Sequence, residues 1–286
     1  MKESYALEIR GLTKNYNNFK LNDVNVKLKK GSIMGFIGAN GAGKTTTIKS
    51  ILNIINYDGG EVFIDGISSN KNNESINEII GYVGDEINLY RDSKAKYVYK
   101  FIKGFYTNWD DEVFNNLIKN FNLNLNKTIE QFSKGMKVQF MLSLALSHHA
   151  KLFILDEPTS GLDPIIREKI LNIIYKTVKN ENASVFFSSH ITEDIQKIAD
   201  TITYIDNGNI LLSDTKNNIL NDYVKVQFKE DVSNEIKDYF KFDEENKVIH
   251  FKQKEILESM MSNNIDNIVY KTPLLDEILI YLRKLN

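Results

Sequence analysis

Cysteine is absent from the 286 residues, so a disulfide framework, a thiolate metal site and a cysteine nucleophile are all excluded. That absence is compatible with a reducing compartment. Proline occurs only at 158, 164 and 273, and low-complexity tracts and fixed-period repeats are missing. Neither charge sign dominates. Lys and Arg total 36 against 38 Asp and Glu, a net −2, which gives no bulk electrostatic reason to hold nucleic acid or anionic lipid. Apolar runs are short, such as residues 152–155 and 278–282. None approaches the roughly 18 to 20 residues of a membrane span. Residues 1–10 carry no long apolar stretch of the secretion-signal kind. The expectation is a soluble chain made in the cytoplasm. What is present is hydrophobic mass: 42% hydrophobic residues and 16 Phe supply a core and exclude general disorder.

Strand-like runs come early, at residues 5–10, 22–29, 32–37 and 61–65. Residues 92–150 read mainly as helix. Buried strands are expected at 151–155 and 184–188, with an amphipathic helix at 165–179 between them. Asp206-Asn207-Gly208 should turn a hairpin between 202–205 and 209–212, because Asn-Gly suits positive φ. Short buried strands alternating with helices argue for an α/β fold with a largely parallel core sheet. Past about residue 222 the character changes. Strands are expected at 223–228, 247–251 and 268–270, and helices at 253–260 and 272–284, the last with Thr272 as N-cap and Pro273 at the first helical position.

Residues 38–46 read Gly-Ala-Asn-Gly-Ala-Gly-Lys-Thr-Thr, the G-x-x-x-x-G-K-[ST] pattern. Glycines let successive N–H groups curl inward onto phosphate oxygens. The helix that follows aims its N-terminal dipole at the same anion. Gly38, Asn40, Gly41, Ala42, Gly43, Lys44, Thr45 and Thr46 are thus expected to cradle the phosphates of a nucleotide. Lys44 would neutralise the β and γ phosphates and the Thr45 hydroxyl would ligate Mg²⁺. A strand precedes this loop and a helix follows it, as the pattern requires. Leu152-Phe153-Ile154-Leu155-Asp156-Glu157 supplies the second half. By itself an apolar strand followed by two acids marks only a strand end. Beside a phosphate loop, Asp156 is placed to hold Mg²⁺ and Glu157 to orient or deprotonate the attacking water.

The intervening residues carry a resemblance. Ser133-Lys134-Gly135-Met136 resembles the LSGGQ signature of ABC-transporter ATPases. Pro158-Thr159-Ser160-Gly161-Leu162-Asp163-Pro164 looks like that family's D-loop, and Ser188-Ser189-His190 like its switch histidine. The order agrees, and the 112 positions between Lys44 and Asp156 leave room for a helical insert. The likeness covers roughly three quarters of the chain. It implies a P-loop NTPase core with an antiparallel β subdomain and an inserted helical subdomain at about 88–150, all within residues 1–220, then a small C-terminal α+β accessory region at 221–286. It also implies two ATPase subunits paired head to tail. Ser133 and Gly135 would reach a γ-phosphate across that dimer, Asp163 would shape the interface, and His190 would arrange Glu157. Ser133 also reads simply as a helix N-cap, and both readings can hold. Tyr16 lies where the family stacks an aromatic on adenine, with Phe19 the fallback. His148, His149 and His250 are given ordinary structural roles.

Two departures stand out. The family's usual Gln position holds Gly84-Asp85-Glu86, so Asp85 is the nearest match. A carboxylate there can touch Mg²⁺ but cannot donate as an amide does, and it reads equally as a solvated loop acid. The signature has Lys134 and Met136 where Gly and Gln are usual. These features, with Tyr106-Thr107-Asn108-Trp109-Asp110, are similar to a bacterial branch that serves drug or peptide exporters. The implied role is an ATP-hydrolysing subunit at the cytoplasmic face of the membrane, powering a separate permease, with no nucleic-acid partner. The altered Gln position leaves open a regulatory ABC module with little hydrolysis. A DNA- or ribosome-acting ABC ATPase is disfavoured, because there is no coiled-coil insertion, second ATPase domain or basic tract.

Overall fold

The computed structural model describes residues 4–69, 74–84, 90–181, 183–228, 248–252 and 268–285. The chain divides into two compact units, Met1–Ser213 and Asp214–Asn286.

The first unit opens on an antiparallel sheet. β1 (Tyr5–Tyr16) and β2 (Phe19–Lys29) form a hairpin; β4 (Gly59–Ile64) and β5 (Ile67–Ser68) extend it to the order β2-β1-β4-β5. Its inward positions are apolar: Leu7, Ile9 and Leu12 on β1, and Leu21, Val24, Val26 and Leu28 on β2. β1 runs past the expected end at Arg10. The register shifts between Ile9 and Leu12, where Gly11 takes a φ of +64° and gives its N–H to Asn25 Oδ1 at 2.9 Å. That bulge resets the two-residue alternation, so the period breaks while the strand continues.

The second sheet contains β3 (Ile33–Ile37), β6 (Ile80–Val83), β7 (Leu152–Asp156), β8 (Ser184–Ser189), β9 (Thr201–Asp206) and β10 (Asn209–Thr215), in the order β10-β9-β3-β8-β7-β6. β9, β3, β8, β7 and β6 are parallel neighbours. β3, β7 and β8 are buried at every position, as strands covered on both faces must be. Asn207 (φ 44°) and Gly208 (φ 77°) make the β9–β10 turn with both residues left-handed. Gly208 donates its N–H to the Ala42 carbonyl at 2.9 Å, and its own carbonyl accepts the Asn22 N–H at 2.9 Å. A Cβ at 208 would lie 1.8 Å from the Lys20 carbonyl oxygen, so only glycine fits.

α1 (Lys44–Ile51) follows β3, and α2 (Glu74–Ile79) leads into β6. Between β6 and β7 lies the helical insert: α3 (Ala95–Lys103), α4 (Asp111–Phe121) and α5 (Lys134–Leu146). Asp110 Oδ1 caps α4 by accepting the Glu112 and Val113 N–H groups, and Asn122 ends it at φ 55°. Fully buried Phe114 anchors the insert, stacked on Tyr99 at 4.2 Å and flanked by Trp109 and Phe140. α6 (Pro164–Glu181) and α7 (Thr192–Ile198) follow β7 and β8.

The second unit holds α8 (Lys216–Asp222), an antiparallel sheet of β11 (Tyr223–Phe228), β12 (Val248–Lys252) and β13 (Ile268–Lys271) in the order β12-β11-β13, and α9 (Leu275–Leu285). The expected helix at 253–260 lies outside the described residues. α9 corrects the expectation for its start. Glu277 Oε2 takes the Leu274 N–H at 2.8 Å and the Leu274 carbonyl takes the Ile278 N–H, which makes Leu274 the cap. A carboxylate three residues into a helix reaches back to the cap N–H, and this overrides the Thr-Pro signal.

Candidate active site

Three parallel strands end side by side. Ile37 pairs with Ser189, and Asp156 with Ser188. The first residues beyond those ends are therefore neighbours: Gly38 after β3, Glu157 after β7 and His190 after β8. Carboxyl ends of parallel strands are where α/β folds bind ligands.

The loop after β3 is built for close backbone approach. Gly41 and Gly43 have φ of +80° and +115°. A Cβ at 38 would meet the Ile205 carbonyl at 2.5 Å; one at 43 would meet Leu21 and Phe19 at 2.7 and 2.9 Å, whereas one at 41 would meet nothing. Two glycines thus let the core pack against the loop, and the third leaves its outer side open. Asn40, Gly41 and Thr45 are exposed, Thr46 is half-buried, and Ala42 and Gly43 are buried. Phe19 supports the loop from beneath. Tyr16 stays half exposed, with Lys14 Nζ 5.4 Å from its ring centre.

Lys44 is buried. Its ammonium donates to the Gly38 and Ala39 carbonyls at 2.7 and 3.1 Å and lies 3.1 Å from Glu157 Oε1. The other Glu157 oxygen, Oε2, lies 2.7 Å from His190 Nδ1. Glu157 therefore bridges the lysine and the histidine, one oxygen to each. Oε1 is buried and forms an ion pair with Lys44 while lacking hydrogen-bond geometry. Glu157 also sits at φ 52°, a left-handed conformation uncommon for a non-glycine residue. Ser188, to which the motif reading gave no role, holds this corner. Its hydroxyl donates to Asp156 Oδ1 at 2.7 Å and accepts the Glu157 N–H at 3.1 Å. Asp156 itself is buried.

The signature stretch forms the start of α5. Ser133 is exposed and its Oγ accepts the Met136 N–H at 3.2 Å, so it is the N-cap. Gly135 is buried, and a Cβ there would meet Ile166 at 3.2 Å. Asp163 is exposed and its Oδ1 accepts the Ile165 N–H at 2.8 Å, capping α6. Asp85 lies outside the described residues; β6 before it ends at Val83. His148 is buried, its ring nitrogens 3.3 and 3.0 Å from the Leu144 and Ile80 carbonyls and its ring stacked on Tyr106 at 3.8 Å.

The model of the ABC transporter family matches residues 21–160. The bacitracin transport ATP-binding protein BcrA of Bacillus licheniformis is 36% identical over 213 residues, spanning 73% of this chain and 69% of that protein. This chain belongs to the ABC transporter family. As an ABC ATP-binding subunit it is an ATPase that works with a separate membrane permease. Among the described residues no helix is long and apolar enough to cross a membrane. The lantibiotic transport ATP-binding protein SrtF of Streptococcus pyogenes is 34% identical over 209 residues, 72% of this chain and 89% of SrtF. A solved ATP-binding subunit of an ABC transporter shares 27% identity at a TM-score of 0.68, covering 75% of this chain and 91% of its own. A dimeric post-hydrolysis ATP-binding cassette bound to ADP and Pi shares the fold at 22% identity and a TM-score of 0.65, covering 73% and 98%.

Proposed function

We propose that this ABC subunit binds Mg·ATP on the loop at residues 38–46, hydrolyses it with Glu157 as general base, and acts as a head-to-tail dimer on the cytoplasmic face of the membrane. The cargo of its permease is a drug, peptide or other amphipathic molecule, moved outward. The observation that carries the reading is Glu157, divided between Lys44 and His190 at the strand ends.

The loop N–H groups and the start of α1 receive phosphate oxygens, and Lys44 turns its charge from Glu157 Oε1 to the β and γ phosphates. Oε1 is then available to accept a proton from the attacking water, while His190 keeps the carboxylate oriented through Oε2. Thr45 and Asp156 are both oxygen donors, the kind that suits Mg²⁺, and two protein ligands are what this ion ordinarily takes beside a nucleotide. Bound there, it would neutralise phosphate charge. Asp85 is a third candidate ligand. Tyr16 offers an exposed ring for adenine. Ser133 and Gly135 present the start of α5 to the γ-phosphate of the opposing subunit, with Asp163 shaping the interface between them. The names of the bacitracin and lantibiotic relatives support the class of cargo.

Steady-state phosphate release with Mg·ATP tests the reading. Turnover is expected from the wild-type chain, rising when the cognate permease is co-reconstituted. A background rate despite ATP binding would replace it with that of a nucleotide-gated regulatory module.

A further inference from the structure

We propose that Arg167 and Asp194 form a positioning pair that locks the Asp163 loop to the His190 loop, so that the two reach their working places as one body. The proposal rests on the ATPase reading above and adds two residues to it. α6 begins directly after Asp163, whose carbonyl accepts the Arg167 N–H at 2.9 Å. α7 begins two residues after His190, and Asp194 lies in its first turn. Arg167 Nε donates to Asp194 Oδ1 at 2.5 Å, and its Nη2 lies 3.4 Å from Glu193 Oε2. The arginine four residues past Asp163 is thus fastened to the aspartate four residues past His190.

The burial gives the pair its stiffness. Asp194 is 2% exposed and its Oδ2 finds no hydrogen-bond partner among the described residues. A buried carboxylate with one empty side is tolerated only beside a cation, so α7 is held where Arg167 holds it. The residue before Arg167 extends the connection. Ile166 packs over Gly135, whose Cβ would stand 3.2 Å from it. One turn of α6 therefore touches the start of α5 through Ile166, carries Asp163 at its head, and grips the histidine-bearing loop through Arg167. Energetic coupling between sites is carried by such packed and ion-paired elements.

The experiment compares Arg167→Met, Arg167→Lys and Asp194→Asn in the full chain, measuring ATP affinity, KM and kcat, with a double-mutant cycle between Arg167→Met and Asp163→Ala. A positioning pair predicts that Arg167→Met lowers kcat about tenfold while KM for ATP stays within about twofold. Arg167→Lys, which keeps the charge, should recover part of the loss. In the Asp163→Ala background Arg167→Met should cost almost nothing more, because both changes cut the same link. Asp194→Asn, which keeps the shape but not the charge, should give the same split between kcat and KM and serves if Arg167→Met does not fold. Unchanged kcat in these variants, KM rising in step with the loss, or full additivity with Asp163→Ala would overturn the pair's role. Absence of turnover in the wild-type chain would instead overturn the ATPase reading.

Discussion

Glu157 combines two demands that a single residue seldom meets. Its backbone is left-handed, which costs on the order of 1–3 kcal/mol when it departs from the favoured regions, and its carboxylate is shared between the Lys44 ammonium and the His190 ring. Such strain persists where the surrounding contacts fix it, and here Ser188 supplies them. Glu157→Gln is expected to keep ATP binding and lose turnover by about 10²–10⁴-fold, the range for a missing general base. Equilibrium binding and phosphate release check the two halves separately. Lys44→Ala is expected to abolish measurable ATP affinity in the same binding assay. The residues of the phosphate loop were legible because glycine spacing is a local, steric signal. Ser188 was not, because its role depends on the pairing of β7 with β8, which places it beside Asp156 across 32 positions of sequence. The conformation of Glu157 leaves no trace in composition or period.

At the scale of elements, the end of α5 meets the start of β6 through His148. Burial pushes this imidazole below its ordinary pKa of 6.5, against the opposing pull of the Ile80 and Leu144 carbonyls. The folded chain therefore takes up this proton less readily than the unfolded one. The stability it contributes is fully present above about pH 6.5 and is lost as pH falls through the lower folded value. The melting temperature is expected to drop on the acid side of that point, and His148→Gln to flatten the drop; scanning calorimetry at stepped pH checks it. In the insert, burial and the bond to Asp111 raise the Tyr99 phenol to about 12. Its neutral form favours folding below pH 10, and this contribution fades as pH rises toward 12. Burial also raises the Tyr106 phenol, so ultraviolet titration should show a late-ionising component that shrinks by one tyrosine in Tyr99→Phe. The inserted helices, α6 and the buried strands were readable from period and caps, whereas the short α2, α7 and α8 span too few turns to show a period and were not anticipated. The continuation of β1 past Arg10 and the start of α9 were not, since a bulge at Gly11 and a back-reaching Glu277 each overrode the local pattern.

At the scale of the whole molecule, the proposed head-to-tail dimer would complete two sites at once, because one chain carries both the phosphate loop and the signature-like turn. Glu157→Gln with Mg·ATP is expected to double the mass seen by light scattering, and Lys44→Ala to remain a monomer under the same conditions. The antiparallel sheet and the parallel sheet are joined beside the loop at Gly208, whose N–H holds Ala42 and whose carbonyl holds Asn22. Tyr16 belongs to one sheet and Lys44 follows a strand of the other. In the binding mode proposed above, this turn helps set the distance between the base and phosphate ends of the nucleotide. Replacing Gly208 with alanine forces a shift away from the Lys20 carbonyl and miscalibrates that span. ATP should bind more weakly to Gly208→Ala, whereas tripolyphosphate, which has no base to place, should compete as well as before.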